Sequence, residues 1–170
     1  MSATIVIIDD TQTNLVLLAN LLQEAGYDVR VANSGLRGQS LIERQPPDIV
    51  FLDINLPDKD GYAICADLRK NEATRTLPIF FLSAHDNDEA RAKAKQAGGD
   101  EYLLKPFEAG EILSRVALHL RVGAAEKAAA ATRAELAQLK ERVQDLAARS
   151  GDPDPSRRPT TDDWAALTKS

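Results

Sequence analysis

The chain is poor in cysteine. Cys65 stands alone among 170 residues, which excludes an internal disulfide and any cysteine-rich zinc site. It also lacks a run approaching 18 apolar residues and an apolar leader of signal-peptide type. Neither a membrane span nor secretion is therefore expected, and the expected compartment is the cytoplasm. A surplus of positive charge is missing as well. Residues 1–120 hold 12 Lys and Arg against 18 Asp and Glu, a net of −6; residues 121–170 hold 9 against 8, a net of +1. Neither part offers the basic surface that a polyphosphate backbone demands, so nucleic-acid binding by this chain is not expected. What remains is an ordinary apolar content of 44%, enough to bury a core.

Along residues 1–120, short apolar runs alternate with amphipathic stretches. Thr4–Ile8 is β-branched with no polar face, as a strand covered on both sides must be. Asn14–Ala25 carries Leu15, Leu18, Leu21 and Leu22 at helical spacing and stops at Gly26. Asp28–Ala32 alternates and reads as a strand nearer the sheet edge. Ser34 is an N-cap for a helix to Arg44, which Pro46 and Pro47 forbid from continuing. Ile49–Leu52 and Ile79–Leu82 are further buried strands, separated by a helix over Gly61–Arg69. Asp86 or Asn87 caps a helix to Gln96, Gly98 and Gly99 turn the chain, Glu101–Leu104 is a fifth strand, and a fifth helix starts near Glu108. Five βα units in strict alternation predict an α/β fold: a doubly wound five-stranded parallel sheet in the order 2-1-3-4-5, flavodoxin-like.

That topology places ligands beyond the carboxyl ends of strands 1 and 3. Asp9 and Asp10 end the first of these strands and Asp53 the second. Three carboxylates brought together repel, and each raises the pKa of the others unless a cation offsets them. An all-oxygen donor set with room for water suits Mg²⁺. Ser83 after strand 4 and Lys105 after strand 5 add a hydroxyl and an ammonium. A nucleophilic carboxylate, a metal, a hydroxyl and a cation are what transfer of a phosphoryl group requires.

These residues resemble the receiver domains of two-component response regulators. The matching pieces are Ile7-Ile8-Asp9-Asp10, Phe51-Leu52-Asp53, Leu56-Pro57 with Gly61, Leu82-Ser83-Ala84, and Tyr102-Leu103-Leu104-Lys105-Pro106-Phe107. Ser83 follows Asp53 by thirty residues and Lys105 follows Ser83 by twenty-two. The resemblance implies that Asp53 accepts a phosphoryl group from a sensor histidine kinase or phosphotransfer protein. It implies that Asp10 binds Mg²⁺ directly, Asp9 largely through water, and Asn55 through its backbone carbonyl. Lys105 would bridge Asp53 and the phosphoryl oxygens, and the Lys105–Pro106 bond would be cis. Ser83 would hydrogen-bond the phosphoryl group, with Ala84 and His85 flanking it. Tyr102 would rotate inward and remodel the face of helix 4, strand 5 and helix 5, so that the chain is a switch rather than a turnover enzyme. Ser83 departs from the commoner threonine but keeps the hydroxyl.

Two likenesses count for less. Gly98-Gly99-Asp100-Glu101-Tyr102 resembles the signature of diguanylate cyclases, but here it is the turn before strand 5. Asp9-Asp10-Thr11-Gln12-Thr13 is near the nucleophile motif of haloacid-dehalogenase phosphatases, which need a second Asp where Thr11 stands; an aspartyl-phosphate phosphatase is the enzymatic alternative. Cys65 reads as core filler. His85 and His119 are isolated and read as solvated side chains.

Residues 1–121 are thus expected to form the receiver, 122–149 a helical extension, and 150–170 a flexible tail. Val122, Ala125, Ala129, Thr132, Leu136, Leu139, Val143 and Leu146 share one a/d register, which predicts a coiled coil joining two copies over 122–146. The effector is unknown. The alternative to a stand-alone regulator is the N-terminal receiver and stalk of a longer signalling protein.

Overall fold

A computed structural model describes residues 2–150. The expected tail, including Trp164, lies from residue 151 onward outside the described residues. The chain divides into two compact units, Met1–Gly123 and a second beginning at Ala124.

The first unit holds five strands, β1 (Thr4–Ile8), β2 (Asp28–Ala32), β3 (Ile49–Asp53), β4 (Ile79–Ser83) and β5 (Glu101–Leu104). Helices alternate with them: α1 (Gln12–Glu24), α2 (Gly35–Arg44), α3 (Gly61–Lys70), α4 (Asp88–Ala97) and α5, which begins at Ala109. All strand pairs are parallel, in the order β2-β1-β3-β4-β5.

The absence of a polar face on β1 follows from this layering. Ile5 and Ile7 join Leu15, Leu18 and Leu22 of α1 and Ile112 and Val116 of α5 in one core. Val6 and Ile8 face the opposite way, into a core with Ile42 of α2, Ile64 and Leu68 of α3 and Ala94 of α4. Alternate side chains of each central strand therefore bury against different helix layers, and each fully buried aliphatic contributes about 1.5–3 kcal/mol.

Local sequence sets the ends of the elements. Asn87, not Asp86, caps α4, its Oδ1 accepting from Ala90 N at 2.8 Å. Gly98 ends that helix at φ 93°, a conformation in which a side chain would be strained. Helix α1 starts two residues earlier than the apolar spacing predicts, at Gln12, so only Asp9, Asp10 and Thr11 separate it from β1. Strands β3 and β4 each run one residue further than their apolar runs, taking in Asp53 and Ser83. The sheet's hydrogen bonds explain this: Ile54 N donates to Leu82 O at 3.2 Å, and Lys105 N to Ser83 O at 2.8 Å.

Helix α5 is assigned over Ala109–Ser150 and includes Gly123. Among the described residues of the second unit, its exposed large apolar side chains are Leu136, Leu139, Val143 and Leu146.

Candidate functional site

Because β1, β3, β4 and β5 are parallel, their carboxyl ends meet at one edge of the sheet. Asp9, Asp10 and Asp53 converge there, each offering a carboxylate oxygen within 4.8 Å of the others. Asp9 is fully buried and Asp53 is 4% exposed, whereas Asp10 faces solvent.

The buried Asp9 is held from three directions. Thr11 N donates to its Oδ1 at 2.8 Å, while Asn14 Nδ2 and Lys105 Nζ donate to its Oδ2 at 3.0 and 2.7 Å. Lys105 Nζ also lies 3.3 Å from Asp53 Oδ1, so one ammonium faces two buried carboxylates. Burial pushes the Asp53 carboxyl above its ordinary pKa and the Asp9 charge adds to that; Lys105 and the Asn55 amide pull the other way. The donors fit a hard divalent cation: three carboxylates converge, all are oxygen donors, and one is exposed to accept an ion that keeps its waters.

Ser83 stands one strand over from Asp53, 2% exposed at the end of β4. Its hydroxyl accepts from His85 N at 3.1 Å and lies 3.3 Å from His85 O. Tyr102 donates from its hydroxyl to the same His85 carbonyl at 2.7 Å, with the Arg91 guanidinium 5.0 Å from its ring centroid. The His85 backbone thus joins Ser83 and Tyr102, while the His85 side chain and Ala84 are exposed beside the site. Asn55, also exposed, shares a cleft of about 220 Å³ with Tyr62, Ser83, His85 and Lys93. The Lys105–Pro106 peptide bond is cis.

Gly61 is required by proximity. A Cβ there would sit 2.3 Å from the Asp53 carbonyl oxygen, because α3 begins directly against the end of β3 and Gly61 N donates to Ile54 O at 3.0 Å.

Sequence reasoning singled out neither Asn14 nor Asp58, which ties the loop after Asp53 to α2. For Asn14 the only signal was an amide five residues beyond Asp9. His119 corrects an expectation. It is not a solvated side chain: its Nε2 lies 3.1 Å from Glu101 Oε1 and its ring packs edge-on against Phe80 at 4.8 Å, because α5 lies over β4 and β5. Asp100 has structural partners, accepting from Ile79 N and from Arg69, each at 2.8 Å. Cys65 is buried against Ala97 O, and burial pushes its thiol up to about 11, which leaves it unreactive near neutral pH.

A doubly wound sheet with this acidic edge defines a class. The chain belongs to the response regulator receiver domains of two-component systems, the family matched by residues 5–117. Among its relatives is the DNA-binding dual master transcriptional regulator RpaA of Synechocystis sp., 39% identical over 117 residues. That match covers 69% of this chain and 48% of RpaA, so the chain spans about half the length of this curated relative. A candidate response regulator from Chloroflexus aurantiacus J-10-fl superposes with a TM-score of 0.69 at 38% identity, over 71% of this chain and 99% of that one. A two-component response regulator from Clostridium difficile gives 0.67 at 31% identity, over 71% and 97%. Receiver domains of this family act as phosphoacceptor switches and bind Mg²⁺ at an acidic site.

Proposed function

We propose that Asp53 accepts a phosphoryl group from a histidine kinase or phosphotransfer protein and that the acyl phosphate switches the chain's protein contacts. The observation that carries this reading is the burial of Asp53 at the end of β3 with Lys105 3.3 Å from its Oδ1 and Asp9 and Asp10 alongside. An Asp53 carboxylate oxygen attacks phosphorus in line. The donor's N–P bond breaks as the O–P bond forms, leaving an acyl phosphate here and imidazole on the donor. Asp9, Asp10, Asp53 and the Asn55 backbone carbonyl would hold Mg²⁺, which when bound supplies positive charge to the phosphoryl oxygens. Lys105 neutralises a further oxygen, and Ser83 donates its hydroxyl to another. Ala84 and His85 border the group and set how closely water approaches.

The switch follows from the contacts of His85. The Ser83 hydroxyl holds this residue's backbone and the Tyr102 hydroxyl ends on its carbonyl. Turning the Ser83 hydroxyl toward a phosphoryl oxygen gives up those contacts and frees the β4–α4 loop and Tyr102 to repack on the face of α4, β5 and α5. Such a population shift is driven by the difference in contacts between the two states.

Output is by protein contact, in a cytoplasmic chain acting as a dimer. Leu136, Leu139, Val143 and Leu146 are each 50% exposed or more, a seam that a second copy would cover. Glu135 and Lys140 take the facing g and e positions of a parallel pair. A receiver and stalk of a longer protein is the second reading, favoured by the match to about half of RpaA; RpaA's DNA binding belongs to that protein.

The test is incubation with Mg²⁺ and a small phosphodonor. Wild type takes up one hydroxylamine-labile phosphate, and Asp53→Asn takes up none. Undiminished labelling of folded Asp53→Asn refutes the assignment, and rapid multiple turnover indicates a phosphatase.

A further inference from the structure

The loop from Ile54 to Asp60, which follows Asp53 and carries Asn55, is fastened at both ends. At its start, Ile54 N donates to Leu82 O at 3.2 Å and Ile54 O accepts from Gly61 N at 3.0 Å. At its far end the partner is α2, a helix that brings no acidic residue to its own first turn. Ser34 accepts from Arg37 N at 3.4 Å, leaving the amides of Gly35 and Leu36 to be satisfied from elsewhere. Asp58 satisfies both: its Oδ1 accepts from Gly35 N and its Oδ2 from Leu36 N, each at 2.9 Å. The cap on α2 is thus divided between a residue beside the helix and a carboxylate 22 positions downstream of Leu36.

Two further contacts tighten the same junction. Lys59 Nζ donates to Gln39 Oε1 of α2 and to Asp67 Oδ2 of α3, both at 2.8 Å. Gly35 is crowded by α3 and by the loop: a Cβ there would lie 2.6 Å from Ile64 Cδ1 of α3, 3.2 Å from Asp58 Oδ1 and 3.3 Å from Leu56 Cδ1. The Leu36 amide, chiefly, holds the Asp58 carboxyl below its ordinary pKa, so the cap is a charged one near neutral pH.

We propose that Asp58 is a positioning residue for the cation site: by capping α2 from the β3–α3 loop it fixes the span that presents the Asn55 carbonyl beside Asp53. This rests on the phosphoacceptor reading, since it concerns how that site takes Mg²⁺. Asp58 lies three residues beyond Asn55 and touches no reacting group, so it acts through the backbone. With the cap gone, Asn55–Pro57 would hang between the Gly61–Ile54 hydrogen bond and Lys59, and the entropy of ordering that span would fall on cation binding.

The full chain is titrated with Mg²⁺ by calorimetry, as wild type, Asp58→Ala, Asp58→Asn and Gly35→Ala, with amide hydrogen exchange followed over residues 54–60. Asp58→Ala should weaken Mg²⁺ binding about tenfold, the lower end of what outer-shell partners contribute, and speed exchange at Asn55 and Leu56. Asp58→Asn, which keeps one acceptor, should fall between Asp58→Ala and wild type. Gly35→Ala should weaken Mg²⁺ from the helix side although Asp58 is present. At saturating Mg²⁺ each variant should still label to the same stoichiometry. If Asp58→Ala, or Asp58→Asn should the alanine form not fold, binds Mg²⁺ within twofold of wild type while melting lower, the cap serves only α2 and the proposal fails. A wild type that labels normally alongside such variants sinks this inference alone. A wild type that binds no Mg²⁺ and takes no label overturns the phosphoacceptor reading and this one with it.

Discussion

Lys105→Met isolates the electrostatics of the site. The lysine ammonium is 2.7 Å from Asp9 Oδ2 and 3.3 Å from Asp53 Oδ1. At an effective dielectric constant of 20 these distances correspond to roughly 6 and 5 kcal/mol of attraction. Against them stand the repulsion between the two carboxylates, roughly 3.5 kcal/mol at the 4.8 Å limit of the cluster, and the desolvation of all three groups. Methionine keeps the stem's volume and removes the charge. Breaking a buried pair in this way costs about 3–5 kcal/mol when one charge is stranded. The lower end is expected, because Thr11 N and Asn14 Nδ2 still hold Asp9 and because Asp53, whose pKa burial already raises, can take up a proton.

A loss of about 3 kcal/mol lowers the melting temperature of a unit this size by roughly 10 °C. Without the lysine, which lowers it, the raised pKa of Asp53 rises further and favours the neutral form in the folded state, so the deficit is complete at pH 8 and shrinks as the pH falls toward 5. Thermal unfolding followed by circular dichroism across that range, in EDTA, reads both effects. A variant within 1 kcal/mol of wild type at pH 8, or a deficit that does not change with pH, would refute this account of Lys105.

Other expectations follow from the same distances. Asp53→Asn should raise the melting temperature in EDTA at pH 7–8. The raised pKa of Asp53 means its contribution to stability is present below about pH 4 and lost as the pH rises through the folded value, so the variant's advantage should vanish in acid. Asp100→Ala strands the Ile79 amide and part of Arg69, and should cost about 1–3 kcal/mol in denaturant melts while labelling at Asp53 is unchanged. Leu136→Asp with Leu139→Asp places charge on the seam, and should turn a sedimenting dimer into a monomer without altering that labelling; a monomeric wild type at tens of micromolar refutes the coiled coil.

The sheet was legible because its central strands are covered on both sides, leaving unbroken apolar runs such as Ile49–Leu52 and Ile79–Leu82. The convergence of Asp9, Asp10 and Asp53 was legible for a related reason: chemistry at a strand end is addressed by the strand order alone. Which aspartate would be buried was not legible. Both leave β1 in succession, and it is Asn14 of α1 and Lys105 after β5 that hold Asp9 inside. The same holds for His119, whose partners Glu101 and Phe80 lie on two different strands.

Capping gives the sharpest contrast. Ser34 precedes its helix directly, so the sequence announces it, and for α4 it narrows the cap to the adjacent Asp86 or Asn87. Asp58 caps a helix that ended fourteen residues earlier, at Arg44; no window around α2 contains it, and it falls between Leu56-Pro57 and Gly61 without a role of its own in that motif. Gly123 shows the opposite case, a local signal that is overruled. One glycine in a helix interior costs about 1 kcal/mol relative to alanine. The residues after it, Ala124-Ala125-Glu126-Lys127-Ala128, are strong helix formers that add almost no further cost, and α5 is helical on both sides of the glycine. Windows of sequence disclose what a segment's own neighbours decide. Pairings such as Asp58 with α2 become visible only once the sheet has brought distant loops together, and in this chain those pairings surround Asp53.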